Sequence, residues 1–269
     1  MESVAPGQTE RKGTGILTFL RQRVGQNDVA VVLIVIVLLF VLFSFTAPNF
    51  LTFYALSNVL TFASVFGIVV CGVSFLMISG EFDLSVGSVL AVVAYVFLYG
   101  LLADMPPFAA LLLALACGAV MGLINGVVVV TTGIPSFIAT VGTLLAYRGI
   151  AHALGGGQST VYTPAQIPVL LDVLNGYVTP INNLTTPAGN IRVASFWFVV
   201  TVLVMSFLLL RTRYGNWVYA AGGNSRAALA QGVNVKKVKL INFAISGFLA
   251  GLAGTIMFAQ RRSMYELIG

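Results

Sequence analysis

The chain has 269 residues, 58% hydrophobic and only 8% charged, and its mean hydropathy is +0.99. A soluble domain carries about 25% charged residues, so this composition excludes a protein that faces water on all sides. The net charge of +6 is confined to short segments between apolar runs, a pattern that orients a membrane protein and argues against a nucleic-acid footprint.

Residues 1–28 form a cytoplasmic tail carrying Arg11, Lys12, Arg21 and Arg23. A spanning helix needs about 20 mostly apolar residues. Such runs are predicted at 29–46, 59–78, 86–102, 108–130, 137–154, 196–210 and 240–259, giving an all-α polytopic transmembrane bundle of about seven spans. The tail is longer than the leading region of a signal peptide, so 29–46 is read as a retained helix. Cys71 and Cys117 lie inside apolar runs without metal or disulfide spacing and pack as small apolar residues. No stretch is long enough for a second, soluble domain, so 29–269 reads as one membrane domain.

Between the second and third spans runs Gly80-Glu81-Phe82-Asp83-Leu84-Ser85-Val86-Gly87-Ser88. Two carboxylates between apolar runs are expensive and face protein or a water-filled cavity. Asp83 or Ser85 also suits a helix start. The segment is therefore either a capped turn or a lining element near a translocation path. Asn125-Gly126 lies inside the fourth span, where a buried amide needs a partner and glycine admits a neighbouring helix. Gly133-Ile134-Pro135-Ser136-Phe137 breaks the chain before the fifth span, with Pro135 placed for a first helical turn. Thr140, Gly142 and Thr143 give that span a small, polar face. Arg148-Gly149 makes it a candidate for a broken or re-entrant helix. His152, the single histidine, excludes a zinc site with paired His ligands and is read as a packing or interfacial residue.

The loop 211–239 is longer than a plain connector needs. Asn224 or Ser225 caps a short helix beginning near Arg226, Ala227, Ala228, Leu229 and Ala230 favour it, and Gly232 ends it. Such a small-residue helix looks like a docking element for a soluble partner. The cations Arg211, Arg213, Arg226, Lys236, Lys237 and Lys239 make this loop, like the N-terminal tail, cytoplasmic under the positive-inside rule. Six spans separate the two, which agrees in parity. The segment 155–194, with Asp172 and Arg192 as its charges, then lies outside. Arg261 and Arg262 follow the seventh span on that outer side. Either they line a polar interior or the chain continues beyond them.

These motifs resemble the transmembrane permease subunits of ABC importers, in the family that serves ribose, xylose and other monosaccharides. Residues 80–88 follow its pattern Gly-Gly-Ile-Asp-Leu-Ser-Val-Gly-Ser, with Glu81 and Phe82 in place of Gly and Ile. Asn125-Gly126, Ile-Pro-x-Phe-Ile-x-Thr-x-Gly-Thr at 134–143 and Arg148-Gly149 also match. In the coupling segment Ala227, Ala228 and Gly232 stand in the Glu-Ala-Ala…Gly motif, and Arg226 replaces its acid. The match covers most of residues 50–260. The resemblance implies a dimer of permease subunits of about ten spans each, so the last spans are expected beyond residue 269. It also implies cytoplasmic ATPase subunits, an extracytoplasmic solute-binding protein, and multi-pass residence in a prokaryotic inner membrane.

On this resemblance Asn224, Ser225, Arg226, Ala227, Ala228 and Gly232 are expected to couple to the ATPase, and Glu81, Asp83, Ser85, Asn125, Thr140 and Thr143 are expected to line the pathway. The chain needs no cofactor, contacts lipid but no nucleic acid, and is not an enzyme; it has no phosphate-binding Gly-x-x-x-x-Gly-Lys-Ser/Thr loop. The alternative is a self-contained secondary transporter coupling ions through Glu81, Asp83 and Arg148. A membrane enzyme with Glu81 and Asp83 as acid and base has no nucleophile, metal cluster or cofactor motif behind it.

Overall fold

The computed structural model describes residues 28–156 and 158–264. Arg11, Lys12, Arg21 and Arg23 of the tail lie outside the described residues. Seven helices occupy the seven predicted runs: α1 (Asp28–Thr46), α2 (Phe53–Ile78), α3 (Val86–Leu102), α4 (Pro107–Thr132), α5 (Ser136–Gly155), α8 (Ala194–Arg211) and α11 (Val235–Arg261). Four short helices lie between them: α6 (Val169–Asn175), α7 (Thr179–Asn182), α9 (Arg213–Gly223) and α10 (Ser225–Ala230). Five of the long helices are long and apolar enough to cross a membrane. The chain is a polytopic helical membrane protein.

Helix boundaries follow local chemistry. Thr52 caps α2 by accepting from Ala55 N at 3.3 Å. Pro107 sits in the first turn of α4, where its missing N–H costs nothing. α5 runs unbroken through Arg148 and Gly149, contrary to the expectation of a broken or re-entrant segment. At membrane depth a freed backbone N–H or C=O has no water to bond, so one unfavourable residue does not open the helix.

α3 and α11 form the centre. Val89, Val93, Ala94, Phe97 and Leu98 of α3 are fully buried, with α4, α5 and α11 packed around them. A helix wrapped in protein need not match the hydrocarbon thickness, which explains why α3 has only 17 residues. α11 packs along α2, α3 and α4. Its approach to α4 is backbone to backbone. A Cβ at Gly122 would lie 2.1 Å from Phe243 O, and one at Gly247 would lie 2.2 Å from Gly118 O. α1 stands apart, with Val31 to Phe43 exposed and Phe40 and Phe43 meeting Phe50.

The antiparallel run of helices gives the bundle two different ends. At one, α6 packs on α11 and α8, and β1 (Thr160–Val161) pairs with β2 (Ser263–Met264) in a two-residue antiparallel ladder. There Asn175 Nδ2 donates to Ile256 O at 3.0 Å and Tyr162 N to Arg262 O at 2.8 Å. Arg262 reaches Asp172 at 3.8 Å in an exposed pair, which contributes little. Arg262 therefore closes the end of α11 against the 155–194 segment. The ladder is a small departure from an all-helical chain that the sequence reading missed. The other end carries the 79–85 hairpin, the α4–α5 turn and the 211–234 segment.

Candidate functional site

At the hairpin end, Gly80 turns the chain with φ 83°, and the next residues are bonded to three helices. Phe82 N donates to Ser136 Oγ at 3.0 Å and Leu84 N to Thr140 Oγ1 at 3.2 Å. Thr140 Oγ1 in turn donates to Ser136 O at 2.8 Å. Asp83 Oδ1 accepts from Ser85 N at 2.8 Å and Ser85 Oγ at 2.7 Å. Asn125 Nδ2 bonds Ser85 Oγ at 2.7 Å and reaches Asp83 Oδ2 at 3.3 Å. Tyr147 OH lies 3.1 Å from Asn125 Oδ1 and 3.0 Å from Met121 O. Asp83, Ser85, Asn125 and Thr140 are at most 2% exposed.

Four of the six residues read as pathway-lining thus meet in one closed knot. Their polar atoms face each other and the backbone, and these bonds join the hairpin to α4 and α5. Thr143 is half-buried and donates to Thr140 O at 3.3 Å. Glu81 faces outward from the knot and forms an ion pair with Lys239 of α11.

Burial pushes the Asp83 carboxyl above its ordinary value near 3.8, while hydrogen bonds from Ser85 and Asn125 pull it back. The folded protein then holds this proton more tightly than the unfolded chain. The stability it contributes is full below the unfolded pKa and is lost as pH rises through the folded one. Asp83→Asn removes that titration. The unfolding midpoint of the detergent-solubilised variant is expected to fall less than that of the native chain as pH rises from the ordinary carboxylate value upward. Equal slopes would dissociate Asp83 from the pH response.

The 211–234 segment is not a connector with one short helix but two consecutive helices. Thr212 caps α9 by accepting from Gly215 N at 3.3 Å. Val218 and Ala221 bury one face of α9. Tyr214 OH donates to Asn242 Oδ1 at 2.5 Å, and Asn242 Nδ2 donates to Phe75 O at 3.1 Å. Asn242, fully buried, thereby ties α2, α9 and α11 together. The signal for it was an amide inside the last span, which the sequence reading passed over. Gly222 lies so close to the end of α2 that a Cβ there would sit 1.8 Å from Ile78 O.

Asn224 caps α10 by accepting from Ala227 N at 3.0 Å, and Ser225 Oγ bonds back to Ala221 O at 2.6 Å. Ala228 is buried, while Arg226, Ala227 and Leu229 are exposed. Gly232 ends the segment in the left-handed region at φ 83°, and Asn234 caps α11 through Lys237 N at 3.0 Å. All six residues read as coupling residues therefore lie on α10 and its two ends. Between α10, the hairpin and the α4–α5 turn lies a cavity of about 860 Å³, with Glu81, Ile134, Phe137, Leu229, Lys236 and Lys239 in its wall. α5 leaves one face open: Gly142 and Gly149 have no atom within 4 Å of a built Cβ, and Ala146 and Arg148 are exposed.

Residues 55–266 match the family model described as branched-chain amino acid transport system / permease component. The ribose import permease protein RbsC of Escherichia coli K12 is 33% identical over 238 residues, covering 88% of this chain and 71% of that protein. RbsC of Haemophilus influenzae is 30% identical over 238 residues, covering 88% and 70%. The autoinducer 2 import system permease protein LsrC of Yersinia pseudotuberculosis is 29% identical over 234 residues, covering 87% and 63%. No solved structure matches the chain.

Proposed function

The chain belongs to this family of ABC-importer permease components, and from that premise we propose that it forms the path by which a monosaccharide of the ribose or xylose kind crosses the inner membrane. The end bearing the hairpin and α10 is cytoplasmic, where the positive-inside rule puts the cations of 211–239. The observation that carries the reading is α10 itself. It is a capped helix anchored by buried Ala228 and presenting Arg226, Ala227 and Leu229 to the outside. A cytoplasmic ATPase docks there, and closure of the ATPases moves α10 and switches which face of the bundle is open.

A binding protein delivers the sugar at the ladder end. A second copy of the chain covers α5, whose open face with Gly142, Ala146, Gly149 and Arg148 is unsuited to lipid. The two copies share the pathway, and Thr143 lies beside that face. Asp83, Ser85, Asn125 and Thr140 hold the hairpin that α10 moves against, and Glu81 is the member of the group that borders open space. The sugar class rests on the ribose permeases among the relatives; LsrC, named for autoinducer 2, marks the breadth of solutes in the same family.

The test is coupling in the reconstituted complex. Ala228→Trp lifts α10 from its seat, and Gly232→Val forces a β-branched residue into a left-handed turn that costs about 1–2 kcal/mol. Both are expected to leave the ATPase bound weakly and to cut ATP-driven uptake of D-ribose or D-xylose at least about tenfold. Uptake and ATP hydrolysis at native levels in both variants would remove α10 as the docking element.

A further inference from the structure

Resting on the reading of α10 as the docking element, we infer that the ATPase surface receiving it is acidic, with a carboxylate set against Arg226. Arg226 and Leu229 stand three residues apart on one side of α10, and both are exposed, Leu229 by 57%. Ala228, between them, faces the bundle and is buried. Lys236 and Lys237 are exposed in the first turn of α11, which touches α10. Lys236 shares the wall of the 860 Å³ cavity with Leu229. The face is therefore an exposed apolar side chain with cations about it, the layout of a protein interface with an apolar anchor and a polar rim. Among the described residues Arg226, Lys236 and Lys237 form no ion pair. The two acids of the neighbouring hairpin are committed elsewhere. Asp83 lies in the buried knot, and Glu81 is paired with Lys239.

The placement of these charges does not serve the chain's own stability. The start of a helix carries partial positive charge and is stabilised by acids. α10 and α11 both lack an acid in the first turn and carry Arg226, Lys236 and Lys237 there instead. Cations on the cytoplasmic side orient the spans, but any position in the 211–239 segment serves that purpose. Orientation does not account for cations gathered at two helix starts around one exposed leucine. A partner of opposite charge does. A carboxylate brought to Arg226 accepts a charge-assisted hydrogen bond from the guanidinium, while Leu229 enters an apolar pocket. The family pattern has an acid where this chain has Arg226, so a seat suited to that acid would repel this chain. Charge complementarity of this kind governs encounter rate and partner choice more than raw affinity. Arg226 is thus a specificity residue that selects an ATPase with an acidic seat.

The test titrates the ATPase subunits onto the full chain in proteoliposomes and reads how much is retained. Arg226→Glu is the decisive change, because an acid in the first turn favours α10 and a loss of binding then cannot come from melting the helix. It is expected to weaken ATPase binding at least about tenfold at low salt, and Arg226→Gln about fivefold, the upper range for an exposed pair. Arg226→Lys keeps most of the native affinity. Arg213→Glu, on α9, stays within about twofold of it, because distant exposed charges are screened. The gap between the native chain and Arg226→Glu narrows at high salt for the same reason. Native binding by Arg226→Glu, a loss that salt does not reduce, or an equal loss in Arg213→Glu overturns the acidic seat. Vesicles of phosphatidylcholine alone, and of phosphatidylcholine with phosphatidylglycerol in equal parts, separate protein from membrane as the source of negative charge. A loss confined to the second assigns Arg226 to lipid headgroups and overturns the seat as well. If the native chain retains no ATPase, the proposed function falls and the seat with it. Retention that ignores Arg226 removes the seat alone.

Discussion

Gly247→Val is expected to abolish recovery of the folded bundle. A Cβ at this position lies 2.2 Å from Gly118 O and 2.9 Å from Gly122 Cα. Both obstacles are backbone, so no side-chain rotation makes room. The axes of α4 and α11 must separate along the seam made by Gly118, Gly122 and Gly247. In a membrane, close helix packing is the main association energy, because apolar side chains gain nothing by leaving lipid. Separating two central helices forfeits contacts along both, and overpacking of a close-packed core alone costs about 1–3 kcal/mol, occasionally more. The measurement is the yield of monodisperse protein in detergent and its unfolding midpoint. A variant with native yield and midpoint would mean that the two backbones do not touch.

The second large effect is expected at Gly222. Gly222→Val drives its Cβ into Ile78 O, 1.8 Å away, whereas a Cβ at the adjacent Gly223 meets nothing within 4 Å. The first substitution must lift the end of α9 off α2, and α10 follows it directly in the chain. The second leaves that seat intact. With the bundle anchored by α3, α4 and α11, Gly222→Val is expected to insert normally but lose ATP-driven uptake by about tenfold or more, equivalent to about 1.4 kcal/mol of coupling. Gly223→Val is expected to stay near the native rate. Equal uptake by the two neighbours would remove the α9–α2 contact from the coupling path.

The spans were legible because a transmembrane helix announces itself by composition alone. Their starts were less so. α2 begins at Phe53 instead of 59, and α11 at Val235 instead of 240. Hydropathy does not register a capped start such as Thr52, and Lys236, Lys237 and Lys239 disguised the first turns of α11 as loop. α9 was missed because a run containing Gly215, Gly222 and Gly223 has poor intrinsic helix propensity. It is held by burial of Val218 and Ala221 and by Tyr214 on Asn242.

The candidate site was half legible. Residue types and spacing singled out Asp83, Ser85, Asn125 and Thr140, but only packing reveals that they satisfy one another. Glu81 was grouped with Asp83 as a neighbouring carboxylate, yet the turn at Gly80 sends the two to different partners. Its partner Lys239 lies far along the chain, and one sequence holds no sign of such a pairing. α10, by contrast, was read nearly residue by residue, because capping and termination are local chemistry.

The glycine seam has a mechanical meaning for α11. At 27 residues this helix is a rod about 40 Å long, and Gly247 touches α4 near its midpoint. Its first turns hold Lys239, and its far end is tied to Asn175 and Tyr162. Close approaches hold it at several levels: Gly122 and Gly126 of α4 lie against Phe243, Gly118 against Gly247, and Gly254 against Leu90 O of α3. A stiff rod held along most of its length moves as one piece, so its Lys239 end and its Ile256–Arg262 end share any displacement the bundle makes.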